Sequence, residues 1–302
     1  MSSVKEPGYF SRLHVREHVR RTIPYLRSET AYLDLFAGAT AAHKVVGESS
    51  TCYMRSEPDL RELKAFSGDP KIIALVRDPV LLISSYFHYL RFEGWEPLAT
   101  LSEAWQVQDQ RCAGNIVAGA ANRPDSLAYR NVAQLGNQVE RLFRIFGRNN
   151  VLILVADDLR SDPAGTARTV QEFLGLTQDA GIKMPHSNAA RTSRFETLDV
   201  LTKRNSGTAL AVKNAFKKLL GVRSLGIRRL VDNMNSIPLE HSVEPKLRDE
   251  MRAYFEQDVA LLGSLIRRDL FDLWGWPAPR GLVAGSVQTR LTDSDDQSTA
   301  TT

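Results

Sequence analysis

Two short apolar runs stand out against a mixed polar background. Residues 71–76 read KIIALV and residues 151–156 read VLILVA, which is the length and composition of buried parallel strands. Asp78 and Asp162 follow these runs, and each precedes a proline, so each pair suits the N-cap and first turn of a helix. Gly175 is placed to end the second helix. Two strand-to-helix units in one chain predict an α/β fold.

Apolar residues recur at helical spacing in two further segments. The segment from Val132 to Phe146 stops at Gly147, and the segment after Pro245 continues to Leu265. Both predict amphipathic helices that cover a sheet. Residues 92–125 have weaker periodicity and predict a surface loop near a site.

Composition narrows the class of protein. The 302 residues are 43% hydrophobic and 25% charged, which excludes collagen-like, wholly disordered and disulfide-scaffold chains. Residues 1–280 are predicted to form one domain, and residues 281–302, rich in Ser, Thr, Asp, Gly and Gln, a disordered tail.

Cysteine usage and hydropathy bear on the compartment. Cys52 and Cys112 have no CxxC spacing, so neither a zinc site nor a disulfide framework is indicated. The sequence shows no basic start followed by an apolar run, and no run of 18 or more apolar residues. We therefore expect a cytoplasmic protein without a membrane span.

The net charge of +4 is unevenly distributed. Residues 201–230 carry eight Lys and Arg side chains and no acid. This segment is either a solvated helical face or a contact for an anionic ligand, an acidic glycan or a membrane surface. Phe216 is its one aromatic residue, so a base-stacking surface for nucleic acid is not indicated. A binding module that uses this segment is kept as an alternative function.

The residues after the first strand carry the strongest candidate chemistry. Arg77 lies at the carboxyl end of that strand, where open α/β sheets bind ligands, and Ser85 lies about two turns along the next helix. A guanidinium and a hydroxyl near a helix N-terminus suit a phosphate dianion. The alternative is that Arg77 pairs with a carboxylate while Ser85 caps the helix or faces solvent.

This Arg-Asp-Pro segment, with Ser eight residues after the Arg and an aromatic residue next, resembles the 3′-phosphate motif of PAPS-dependent sulfotransferases. Four more segments resemble elements of that family in the family's order: KEPGYF from Lys5, GESSTCY from Gly47, the frame from Asp158 to Gly175, and the stretch from Pro238 to Trp274. The resemblance covers roughly residues 5–276 and is closest to bacterial and heparan-type sulfotransferases. It implies a P-loop-NTPase-like fold of three layers, in which helices flank a parallel sheet.

The resemblance also implies a reaction. A sulfuryl group would pass from PAPS (3′-phosphoadenosine 5′-phosphosulfate) to a hydroxyl or amine of a carbohydrate or lipid-linked acceptor, with no metal required. Glu6 aligns with the glutamate that serves as base in glycan sulfotransferases. Glu48 is a second carboxylate candidate, and His88 is a candidate for contact with the acceptor. The residues alone favour a surface acid for Glu6 and a structural helical histidine for His88, and it is the place of Glu6 in the family motif that supports a catalytic role.

One family element has no counterpart in this sequence. The family begins with a strand and a PKxGTT loop that holds the 5′-phosphosulfate, and Ala37-Gly-Ala-Thr40 lacks the Lys and follows a predicted helix. We therefore expect a fold that lacks its first strand and phosphate loop. Three interpretations stay open: a start upstream of residue 1, a non-catalytic relative, or a partner that supplies the loop.

A late Lys-Gly-Arg element of the family is missing as well. Arg191 and Arg194, or Arg228 and Arg229, are predicted to replace part of it at the nucleotide. Neither the acceptor nor the oligomeric state follows from the sequence.

The segment HVREH at 14–18 matches the HxxEH pattern of inverted zinc proteases, in which two histidines on one helix bind zinc. Four arginines crowd the same stretch and oppose binding of a dication. An exposed basic helix is the favoured interpretation.

Overall fold

A computed structural model describes residues 1–115, 123–177 and 243–279, together with the backbone of residues 191–193 and 236–238. The helices of these residues are α1 (Glu17–Thr22), α2 (Pro24–Arg27), α3 (Glu29–Leu33), α4 (Glu57–Ser67), α5 (Pro79–Phe92), α6 (Leu101–Gln106), α7 (Gln108–Cys112), α8 (Tyr129–Val132), α9 (Leu135–Phe146), α10 (Ala156–Ser161), α11 (Pro163–Phe173), α12 (Pro245–Ile266) and α13 (Leu270–Leu273). The strands are β1 (Ile72–Val76), β2 (Val151–Val155), β3 (Arg191–Ser193) and β4 (Ser236–Pro238), and short 3-10 helices lie at Tyr9–His14, Asp34–Phe36, Tyr53–Arg55, Pro124–Leu127 and Arg148–Asn150.

The two predicted strands pair with each other. β1 and β2 are parallel, with Ile72 opposite Val151 and Val76 opposite Val155. The strand prediction from the two apolar runs is confirmed. β3 and β4 form a separate antiparallel pair, in which Arg191 lies opposite Pro238.

Both predicted helix caps are present. The Asp78 carboxylate accepts the backbone N–H of Val80 at 2.7 Å and begins α5, whose first residue is a proline. Asp162 accepts the N–H of Gly165 at 2.8 Å and begins α11 in the same way. These local rules place α5 directly after β1, whereas α10 lies between β2 and α11.

The core lies on one face of the β1–β2 sheet. Ala74 and Val76 are buried there, and side chains from α5, α9 and α12 complete the packing. Ile73 and Leu75 point to the opposite face and are 40% and 51% exposed. The apolar run thus predicted the strand correctly, but the prediction that both of its faces are buried is wrong.

Helices α9 and α12 pack closely at Gly136. The Asp258 carboxylate of α12 accepts the N–H groups of Gly136 at 2.8 Å and Asn137 at 2.9 Å, so it caps α9 from another helix. Burial raises the pKa of Asp258, against the effect of these amide hydrogen bonds. A Cβ at Gly136 would overlap the carbonyl oxygen of Asp258, so glycine is required at this crossing.

The predicted surface loop at 92–125 is corrected by the structure over its middle part. Residues 101–112 form α6 and α7, and Trp105 is buried. Glu96 is also buried, where Arg111 donates to both of its oxygens at 2.7 and 2.9 Å. This ion pair and the packing of Ala104 and Trp105 in the core hold the segment in place.

The other predictions have mixed outcomes. The predicted helix at 132–146 begins later, as α9, while the late helix is confirmed as α12. The basic segment 201–230 and the predicted tail 281–302 lie outside the described residues. Among the helices that the structure describes, none combines the length and apolarity needed to cross a membrane.

Candidate functional site

An open cleft of about 1020 Å³ lies between the N-terminal segment and α5. One wall carries aliphatic side chains of α1, α2 and their connections, including Val19 and Ile23. The other wall is the face of α5 that carries Leu82, Tyr86 and Tyr89. Charged side chains line the same open cleft, namely Lys5, Glu6, Arg55, Glu93 and Arg123. It can therefore meet both apolar and charged parts of a ligand.

The cleft brings together two of the predicted site residues. Glu6 and Ser85 both line it, although they come from different motifs. Glu6 is exposed and adopts a left-handed backbone conformation with φ of 51°. The Thr51 hydroxyl donates to its carboxylate at 3.3 Å. The carboxylate therefore faces the cleft with oxygen lone pairs to spare.

The two N-terminal motif segments hold each other in place. The N–H of Gly8, in the KEPGYF segment, donates to Ser50 Oγ, in the GESSTCY segment, at 3.0 Å. Gly8 has φ of 64°, a conformation that favours glycine. Tyr9 and Phe10 then anchor the segment in a buried aromatic cluster. This local framework positions Glu6 at the cleft.

His88 lies beside the cleft without lining it. It is three residues after Ser85 on α5, and its ring packs edge-on against Phe87 at a centroid distance of 5.2 Å. The lining face of α5 runs instead through Ser85, Tyr89 and Phe92, at helical spacing. A role for His88 at the acceptor stays a prediction.

Arg77 lies at the end of β1, outside the cleft lining. No carboxylate among the described residues forms an ion pair with it, so the alternative of a paired Arg77 has no support there. Burial lowers the pKa of Arg77, and the nearby Arg160 lowers it further, against the opposing effects of Asp78 and Asp157. A partly buried guanidinium beside a second cation favours an anionic ligand.

Glu48 joins three neighbouring side chains through hydrogen bonds. Its carboxylate accepts hydrogen bonds from Ser50 Oγ at 2.6 Å, from Tyr32 Oη at 3.1 Å and from Tyr53 Oη. Burial, and then the charge of Glu48, raise the pKa of both tyrosines. The structure does not bring Glu48 into the cleft, and its catalytic role stays a prediction.

The two late arginines fall at the margin of the described chain. The backbone of Arg191 belongs to β3, which lies beside α5, and Arg194 lies outside the described residues. Their predicted contact with the nucleotide is therefore not tested.

The HxxEH alternative does not fit the backbone. His14 ends a 3-10 helix, Val15 is extended, and α1 begins only at Glu17, so the two histidines do not share one helix. His14 Nε2 lies 3.4 Å from an Asp59 oxygen instead. No group of three or more His, Cys, Asp or Glu side chains in the described ranges could hold a metal ion.

The sequence motifs missed two arginines that line the cleft. Arg55 and Arg123 both line the cleft, and Arg55 also lines an adjoining cavity of about 260 Å³. No spacing rule could have found them, because 68 positions separate them in the chain and only the fold brings them together.

Known proteins are similar to this chain in sequence. The family model for the sulfotransferase domain matches residues 13–209. Bifunctional heparan sulfate N-deacetylase/N-sulfotransferase 2 of Bos taurus is 26% identical over 170 residues, and the Homo sapiens protein is 25% identical over 173 residues. Each match covers 55% of this chain, and the chain spans 17% of the length of these curated relatives.

A solved structure is similar as well. The crystal structure of a sulfotransferase from Alicyclobacillus acidocaldarius has a TM-score of 0.60 and 22% identity, over 91% of this chain and 87% of that chain. The likeness confirms the predicted fold, a parallel sheet flanked by helices. Since the family model matches well over half of the sequence, the chain belongs to the sulfotransferase family.

Proposed function

We propose that the chain transfers a sulfuryl group from PAPS to a hydroxyl or amine of a carbohydrate or lipid-linked acceptor. The observation that carries this proposal is the cleft that Glu6 and Ser85 share. The heparan sulfate N-sulfotransferases among the relatives support a carbohydrate acceptor and an amine. Peripheral membrane contact through residues 201–230 is a further prediction.

The cations at the end of β1 suit the charge of the donor. Arg77 is partly buried without a carboxylate partner, whereas the nearby Arg160 is paired with Asp157 at 2.9 Å. A phosphate group would neutralise Arg77, and the fixed fork of its guanidinium matches the phosphate oxygens. Ser85 adds a hydroxyl donor on the cleft side of α5. These residues fit the nucleotide that the family implies.

Glu6 is the group best placed to take a proton. PAPS, when bound, supplies an activated sulfuryl group. A bond forms between the acceptor oxygen or nitrogen and sulfur, and the bond from sulfur to the 5′-phosphate oxygen breaks. The bisphosphate leaves with the electron pair, and the acceptor proton passes to a Glu6 oxygen. The exposed carboxylate can reach an acceptor that enters from solvent.

The proposal is tested by separating binding from turnover. We expect Arg77→Ala and Ser85→Ala to weaken binding of adenosine 3′,5′-bisphosphate in a calorimetric titration. The loss of one charge-assisted contact, about 1.5 to 3 kcal/mol, corresponds to roughly 10- to 150-fold in affinity for Arg77→Ala. Glu6→Gln should keep nucleotide affinity and abolish transfer to a panel of hydroxyl- and amine-bearing saccharides.

Matched controls are available on the surface. Arg61→Ala removes an exposed arginine that pairs with Glu57, and Glu17→Gln removes an exposed acid that pairs with Arg21. Neither should change nucleotide affinity or turnover. Unchanged nucleotide affinity in Arg77→Ala would refute the donor site, and full turnover by Glu6→Gln would refute the assignment of the base.

A further inference from the structure

We infer that Arg55 and Arg123, which both line the cleft, form a second oxyanion site for a phosphate, sulfate or carboxylate group of a ligand. The site is distinct from Arg77, which does not line the cleft. The assignment of the ligand to donor or acceptor rests on the proposed function, whereas the anion site itself does not.

Arg55 is a partly buried cation without a carboxylate partner among the described residues. Its Nη2 donates to Tyr86 Oη at 3.3 Å, and its Cζ lies 5.3 Å from the centroid of the Tyr86 ring. Arg111, by contrast, meets both oxygens of Glu96. Burying a charge without a counter-charge is costly, so the Arg55 position favours a ligand that supplies one.

Arg123 also lines the cleft, and the protein leaves part of its donor capacity unused. Its Nη1 donates to the Ser11 carbonyl at 3.1 Å, and its Nη2 lies 3.8 Å from an Asp125 oxygen, an ion-pair contact that is longer than a hydrogen bond. Its Nε is buried and is therefore out of reach of a ligand in the cleft. A bound oxygen atom would give Nη2 the hydrogen bond that Asp125 does not.

Acids also lie near these cations. Asp125 forms an ion pair with Arg123 at 3.8 Å, and Glu6 and Glu93 line the same cleft. None of these carboxylates forms an ion pair with Arg55, so its charge is the one that a bound anion would balance. Burial alone would lower the pKa of Arg55, but Tyr86 and Asp125 outweigh it, so the guanidinium stays charged.

Neutral donors and apolar walls complete the site. The Tyr86 hydroxyl accepts from Arg55, and its own proton has no acceptor among the described side chains and backbone. Ser126 offers a second hydroxyl at the cleft. Val19 and Ile23 add apolar surface to the same cleft.

Two sources could supply the anion. One is the phosphosulfate end of the donor, for which this sequence contains no PKxGTT loop, and the other is an acidic group on the acceptor. Both present tetrahedral or planar oxygens to a guanidinium fork, so the chemistry of recognition is shared. Titrations with two probes separate them.

The first probe is inorganic sulfate, titrated calorimetrically in an Arg77→Ala background so that the β1 site does not contribute. We expect Arg55→Gln and Arg123→Gln each to lower sulfate affinity at least tenfold. Arg55→Lys should keep part of the affinity, because it restores the charge without the fork. Arg61→Gln, on the exposed face of α4, is the matched control and should have no effect. Near-ultraviolet circular dichroism checks that each variant is folded.

The second probe is adenosine 3′,5′-bisphosphate, titrated with Arg77 intact. If Arg55→Gln weakens its binding too, the site holds the donor; if it does not, the site holds an acidic group of the acceptor. Sulfate affinity that is equal in a folded Arg55→Gln variant and its parent, or no sulfate binding by the parent, would overturn the inference. Failure of the unmodified chain to bind the bisphosphate contradicts the proposed function instead and leaves the sulfate result to decide this site.

Discussion

The buried ion pair between Glu96 and Arg111 offers a sharp test of what holds the cleft wall. The Glu96 carboxylate accepts from Arg111 at 2.7 and 2.9 Å, from the Leu98 N–H at 2.9 Å and from Tyr129 Oη. The side chains of Glu96 and Arg111 are 0% and 6% exposed. Glu96 directly follows Trp95, which lines the cleft.

The substitution Glu96→Leu removes the acceptor of all four hydrogen bonds and leaves the Arg111 charge buried. Breaking a buried pair in this way costs about 3 to 5 kcal/mol. A domain of this size is stable by roughly 5 to 15 kcal/mol, so the loss is a large share of the free energy of unfolding. At about 2 to 4 °C per kcal/mol, the Tm should fall by roughly 6 to 20 °C.

Urea unfolding followed by circular dichroism measures this loss, with a thermal scan beside it. The double variant with Arg111→Met should be more stable than Glu96→Leu alone by about 2 kcal/mol, because no unpaired charge is then buried. The exposed pair of Glu17 and Arg21 is the control, and Glu17→Gln should cost less than about 1 kcal/mol. A cost below about 1 kcal/mol for Glu96→Leu would refute the reasoning, since it would mean that Arg111 finds water without unfolding.

Three more predictions follow from contacts elsewhere in the fold. The hydrogen bond to Asp59 raises the pKa of His14 against the effect of burial, so the stability from protonated His14 is present below about pH 6.5 and lost as pH rises through the raised pKa. Urea unfolding across this range should show that the difference in free energy of unfolding between the parent and His14→Asn shrinks as pH rises. A difference that stays constant with pH would contradict this role of His14. Trp276→Phe removes an indole N–H bond of 2.9 Å to the buried Asp78 carboxylate and should cost about 1.5 to 3 kcal/mol, whereas an unchanged midpoint would show that this bond is replaced. Gly136→Ala should destabilise by about 1 to 3 kcal/mol, because the methyl group overlaps the backbone of α12, and a neutral result in the same assay would mean that the two helices separate freely.

Local signals in the sequence predict the framework of the fold. β1 and β2 follow from two apolar runs, and the starts of α5 and α11 follow from Asp-Pro pairs whose cap bonds span two or three residues. Each feature depends on neighbours in the chain, which is why pattern rules find it. Such rules do not predict burial, because burial depends on what packs against a strand. Ile73 and Leu75 of β1 are therefore exposed although they belong to a continuous apolar run.

Contacts between distant segments are beyond such rules. Arg111 pairs with Glu96, 15 positions earlier in a segment that lacks helical periodicity. At the site, motif resemblance named Glu6 and Ser85, which line one cleft, but gave no sign that Glu48 accepts hydrogen bonds from two tyrosines. No sequence pattern indicates these pairings, because nothing in the sequence distinguishes the partners from other polar residues.

The last part of the described chain supplies partners to acids and amides that precede it by more than a hundred residues. Asp258 caps α9, Arg268 pairs with Asp158, and Trp276 bonds Asp78 at the start of α5. During synthesis from the N-terminus, these long-range contacts cannot form until residues 258–276 leave the ribosome. We therefore expect the nascent domain to stay open to chaperones and proteases until those residues have emerged, and then to close in one late cooperative step.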